Sequence, residues 1–95
     1  MYNNDYVESL INKVTTDYKI INEGTYTLYD FTEHYGICNI KIYYDIIELV
    51  AANVKISILW NYENLERIIT AYLHGADEFE EVYNELKANE LLDKL

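Results

Sequence analysis

The chain of 95 residues has no proline, three glycines and one cysteine. Without proline, no part of it reads as a rigid linker or a Pro-rich ligand segment. Three glycines cannot build a Walker loop or a Rossmann fingerprint, and GxSxG is missing too. The single cysteine, Cys38, excludes an internal disulfide framework and suits a reducing compartment. Its apolar neighbours favour a buried, inert thiol over a nucleophile. His34 and His74 fall in different elements, so there is no CxxC or HxxxH ligand spacing, and no metal or other cofactor is expected. The D-x-[DN]-x-[DN]-G spacing of a calcium loop is absent. Two carboxylates could serve glycoside chemistry, but so short a chain leaves little room for a substrate cleft. No catalytic residue can be named, and the expectation is a protein that is not an enzyme.

Positive charge is scarce as well. Seventeen Asp and Glu face seven Lys and Arg, a formal net charge of −10. DNA and RNA are bound through Lys and Arg at phosphates, so direct nucleic-acid binding is not expected. The balance suits a soluble protein that repels its own kind, or one steered toward a basic protein partner. Long apolar runs are missing too: "DIIELVAANVKISILW" is interrupted by Asp45, Glu48, Asn53 and Lys55, which excludes a membrane span there. The opening "MYNNDYVESL" has neither the basic nor the apolar region of a signal peptide. A cytoplasmic location, in the cytosol of a host cell, is the expectation.

What the chain does contain is a packed domain. Apolar types make up 51% of it, and its length suits one α+β domain spanning residues 1–95. Val7, Leu10, Ile11 and Val14 follow the spacing of one helical face. Asp5 and Glu8 stand as in a capping box, which predicts a helix from about residue 5 to Thr16–Tyr18. From Tyr18 to Trp60 the period is two, with turn signals at "NEG" (22–24), "EHYG" (33–36) and "AAN" (51–53). Cys38, Ile40, Ile42 and Tyr44 should share one sheet face, and Val54, Ile56, Ile58 and Trp60 another inward row. Ile46–Val50 is ambiguous between strand and helical turn, with strand preferred. The short connections require an antiparallel meander. Leu65, Ile68, Ile69, Tyr72 and Leu73 form a helical stripe capped by Asn61, and Gly75 stands at its C-terminal end. A last helix starts at Asp77 and Glu80, with Phe79, Val82, Tyr83 and Leu86 inward. The predicted order is α-β-β-β-α-α, with helices on one face of a small antiparallel sheet.

Two features stand out from that plan. "HGADEFEEVYNELKANE", His74 to Glu90, holds six carboxylates and one lysine. Acids in a first helical turn stabilise it through the helix dipole, by ~0.3–1 kcal/mol each, and solvate it. That accounts for one or two acids better than for the group. The other reading is phosphate mimicry: Glu78, Glu81 and Glu85 would project outward, roughly 5–6 Å apart at Cβ, a spacing comparable to that of nucleic-acid phosphates. Eleven tyrosines against two phenylalanines pose a similar choice. They reflect either compositional drift or rings that must be wet at one end, with Tyr2, Tyr6, Tyr35 and Tyr62 the exposed candidates. Near the end, Ala88, Leu91, Leu92 and Leu95 repeat a helical stripe about 180° around from Phe79 and Leu86. A break near Asn89, burial of Leu91, Leu92 and Leu95 against a second copy, or a frayed tail would each account for it.

With "NNDYVESLINK" opening the first helix and "HGADEFEEVYNEL" joining the last two, the chain resembles the small acidic anti-CRISPR proteins that phages use against type II effector nucleases. One such family shares the α-β-β-β-α-α order and presents acids to the nuclease groove that holds PAM duplex. The resemblance implies a DNA-mimicking inhibitor in which Asp77, Glu78, Glu80 and Glu81 contact a basic partner, and the outward helix face would add Glu85. The sheet here is longer and richer in tyrosine, and no acidic hairpin tip is evident; Asp30 and Glu33 are the nearest candidates. A different class of function is a regulatory or assembly protein, homodimeric through Leu91, Leu92 and Leu95, whose acids serve solubility alone.

Overall fold

The computed structural model describes residues 3–31, 36–52 and 54–88. Helix α1 (Asn3–Asn12) leads into strands β1 (Lys19–Asn22), β2 (Thr27–Asp30), β3 (Ile37–Ile42), β4 (Ile46–Ala51) and β5 (Lys55–Leu59), and these into helices α2 (Leu65–His74) and α3 (Ala76–Ala88). The α+β class and the antiparallel sheet are as expected. The described sheet has five strands where the expected order counted three: Ile46–Ala51 is a strand, as preferred for Ile46–Val50, and Lys19–Asn22 pairs as well.

Hairpin chemistry sets the meander β1-β2-β3-β4-β5. Main-chain N–H groups of Glu23, Tyr43 and Ala51 donate to the carbonyls of Tyr26, Ile46 and Val54 at 2.9–3.0 Å, each closing a two-residue turn. Such turns can only reverse the chain. In the first of them Gly24 adopts φ 85 and its N–H donates to Asn22 Oδ1.

Alternation decides which face is covered. Tyr29, Ile40, Ile42, Ile47, Leu49, Ile56 and Ile58 point to the helices and are buried with Val7, Leu10 and Ile11 of α1, Leu65, Ile68, Ile69 and Tyr72 of α2, and Phe79 and Leu86 of α3. The rows differ from expectation at three points. Tyr44 lies in the β3–β4 turn and is 94% exposed, and Trp60 lies beyond the end of β5. Cys38 is half-buried while its neighbour Ile37 is buried, because the register shifts between Ile37 and Asn39. That irregularity is filled from below: the Tyr72 hydroxyl lies 2.8 Å from the carbonyl oxygen of Asn39 and 2.5 Å from that of Val50.

The helix ends also move. Helix α1 begins at Asn3, so Asp5 sits within its first turn, not at its cap. It stops at Asn12, ahead of Val14, Thr15 and Thr16, whose β-branches restrict χ1 in a helix. Thr15 Oγ1 instead accepts the N–H of Asp17, and Val14 is left exposed. Asn64, not Asn61, is the N-cap residue of α2, and it makes no side-chain capping bond.

Candidate functional site

Gly75 alone separates α2 from α3. At φ 133 its N–H donates to the carbonyl of Tyr72, and its own carbonyl accepts the N–H of Phe79. One residue thus ends one helix and begins the next, a conformation that glycine reaches without a Cβ penalty. The start of α3 docks at the sheet end where β3 begins: a Cβ on Gly36 would lie 3.0 Å from Ala76 Cβ.

Phe79 and Leu86 are buried, and Val82 and Tyr83 pack partly against the core, so one face of α3 is anchored. At roughly 100° per residue from Phe79, Asp77 and Glu81 then point away from the core, Glu80 falls on one flank, and Glu78 and Glu85 fall on the other. All five are exposed. The flank of Glu78 and Glu85 faces α2. Glu78 Oε2 lies 2.8 Å from Nδ1 of His74, and Glu85 pairs with Arg67. The five expected contact acids therefore form two groups. Glu78 and Glu85 clasp α3 to α2; among the described residues, Asp77, Glu80 and Glu81 make no ion pair with a described cation. Glu63 and Glu66 join Arg67 and Glu78 along a cleft of about 510 Å³ between the helices. Glu63 adds to the same negative surface, whereas Glu66 is paired with Lys13; the sequence pattern singled out neither, because the cleft forms only where α3 packs on α2.

The other expected residues are not gathered here. Asp30 alternates with buried Tyr29 and points to the opposite sheet face, in register with Lys19 and Asn39. Glu33, Leu91, Leu92 and Leu95 lie outside the described residues. So do Tyr2 and Tyr35, whereas Tyr6 and Tyr62 pack partly against the core and are not the exposed tyrosines expected.

Most of the described cations are engaged within the chain. Lys41 and Lys55 both reach Glu48 at 3.7 Å, Lys13 reaches Glu66 at 3.3 Å, and Lys87 lies over the ring of Tyr83. Lysine and arginine charge is thus spent on Glu48, Glu66 and Glu85, and Glu78 is held by the ring nitrogen of His74, which leaves Asp77, Glu80 and Glu81 of α3 carrying net negative charge.

The opposite end of the sheet is different in character. There Tyr26, Tyr43, Tyr44, Trp60, Asn4 and Asp45 line a depression of about 500 Å³. Among the described residues no group of three His, Cys, Asp or Glu converges as metal ligands, and no helix is long and apolar enough to cross a membrane. The two buried tyrosine hydroxyls titrate high. Burial is the main cause for both, and for Tyr29 the carboxylate of Glu8, which accepts its proton at 2.8 Å, adds to it. Neither is poised for proton transfer near neutral pH. Compared with protein-family models, with curated proteins and with solved structures, the chain matches none.

Proposed function

We propose that this protein is a non-enzymatic inhibitor of phage or mobile-element origin. It uses the acids of α3 to occupy a basic, nucleic-acid-binding surface of a host defence protein, in the manner of an anti-CRISPR DNA mimic. The observation that carries the reading is the exposed group Asp77, Glu80 and Glu81. These carboxylates stand on a helix anchored through Phe79 and Leu86, and no described cation neutralises them. A rigid display matters because the partner's Arg and Lys then form charge-assisted hydrogen bonds without first ordering the acids. The net charge of −10 speeds the encounter with a basic groove and disfavours nucleic acid as a direct ligand. Glu78 and Glu85 act one step behind, holding α3 on α2.

The test is capture of partners from host lysate at low and high salt, followed by competition with duplex DNA. The expected partner is a nucleic-acid-binding effector released by salt and by DNA. Substituting Asp77→Lys and Glu81→Lys together should weaken its binding at least tenfold, about 1.4 kcal/mol, with an unchanged circular dichroism spectrum. Binding indifferent to DNA and to the double substitution would overturn the reading.

A further inference from the structure

Strand β1 contributes nothing to the core. All four of its residues are exposed, including Ile20 at 53% and Ile21 at 37%. Among the described residues it is also an end strand, paired with β2 alone. An exposed edge carrying two adjacent isoleucines is a template for another strand.

Ladder geometry states which groups are free. The N–H of Glu23 donates to the carbonyl of Tyr26, and pairs in an antiparallel ladder alternate between bonded and non-bonded. Ile21 and Lys19, which share the parity of Glu23, therefore direct their main chain at β2. Ile20 and Asn22 direct their N–H and C=O groups outward. The Asn22 side chain is held in its own turn by the N–H of Gly24, and so does not cover them.

We infer that β1 pairs with β1 of a second copy, antiparallel, about a two-fold axis through Ile21. In this register Ile20 faces the partner copy's Asn22, and the two exchange both main-chain bonds. Symmetry makes four bonds in all. The same register sets Ile21 against its own counterpart and Lys19 against the other copy's Glu23, so opposite charges meet twice at the seam. Faces are preserved: each residue meets one on its own side of the sheet. Moving the axis to Ile20 or to Asn22 keeps the hydrogen-bond parity but loses both charge pairs. This self-complementarity favours a second copy over an unrelated strand. The repulsion between two copies of net charge −10 is screened over about 8 Å at physiological salt. The pairing joins two five-stranded sheets into one of ten and shows α3 twice; it does not depend on the partner proposed for α3.

Light scattering of the unaltered chain across a concentration series at physiological salt is the first test. A mass rising toward twice 11.3 kDa is expected by about 0.5 mM, and a monomer throughout overturns the pairing. Register is tested by cross-linking with Cys38 replaced by Ala and oxidised glutathione as oxidant. Ile21→Cys should form an intermolecular disulfide, because non-bonded antiparallel pairs bring Cα atoms to about 4.5 Å. Ile20→Cys should not, since the two copies of residue 20 stand offset by two residues, beyond the ~7 Å that a disulfide spans. Equal cross-linking at both positions, or cross-linking at residue 20 alone, overturns the register. Glu23→Lys should return the dimer to monomer by facing Lys19 with a like charge; an unaffected dimer counts against the seam.

Discussion

Replacing Tyr72 by phenylalanine tests how α2 is fastened to the sheet. The ring is completely buried and meets Phe79 edge-on at 5.1 Å and Phe31 at 6.2 Å. Phenylalanine keeps those contacts, so no cavity opens and the change isolates the hydroxyl. That hydroxyl lies between the carbonyls of Asn39 and Val50, partners across β3 and β4 beside the register shift. Its one proton serves either oxygen. Removing it loses a buried hydrogen bond and leaves acceptor capacity without water, at a cost of about 1–3 kcal/mol. In a domain this small each kcal/mol corresponds to about 4–8 °C in Tm. The assay is urea unfolding followed by circular dichroism, with the midpoint lowered and the m-value unchanged. Tyr72→Leu, which also gives up the aromatic contacts, should lose more. A Tyr72→Phe variant within about 0.5 kcal/mol of the parent would refute the idea that this hydroxyl holds the bulge, and so would a changed m-value.

Three further measurements address other parts of the molecule. Burial raises the hydroxyl pKa of both Tyr29 and Tyr72, so above pH ~10 the unfolded chain releases protons that the folded one keeps. Stability from these groups should be complete below pH ~10 and fall as pH rises, by at most about 1.4 kcal/mol per unit for each tyrosine. Tyr29→Phe should make that alkaline slope shallower in urea titrations above pH 10, and an unchanged slope would count against it. Gly36 and Gly24 have nearly equal φ, 82 and 85, but only at Gly36 would a Cβ meet another atom, Ala76 Cβ at 3.0 Å. Gly24→Ala should cost about 1–2 kcal/mol from conformation alone, and Gly36→Ala clearly more, because α3 must shift. Equal losses by thermal melting would mean that the start of α3 is not pinned there. For the acidic surface, Glu80→Lys should weaken partner binding while leaving the Tm within about 2 °C; the Arg67–Glu85 pair, broken by Glu85→Lys, should lower both.

Local pattern foretold the parts that depend on local physics. The stripe Leu65, Ile68, Ile69, Tyr72 and Leu73 is buried, as are Phe79 and Leu86, because one face of a helix beside a sheet has nowhere else to go. The turn signal at Asn22–Gly24 held as well, and so did the preference for strand at Ile46–Val50, although Ala51, expected in a turn, ends that strand. Patterns that needed a neighbour were not legible. The periodicity of α1 runs on to Val14, but competition from Thr15 ends the helix at Asn12, and a stripe does not report that competition. Glu78 and Glu85 read as equals of Glu81 along the chain. Only the packing of α3 on α2 separates acids held by His74 and Arg67 from acids facing outward.

By itself, then, the sequence determined the class, the inward faces of α2 and α3, the turn at Asn22–Gly24 and the sign of the net charge. Each of these follows from side-chain period and charge within a few residues. The tertiary structure decided which carboxylates are paired, which tyrosines are wet and which strand ends the described sheet. Those depend on elements far apart in the chain, brought together by the burial of a shared core.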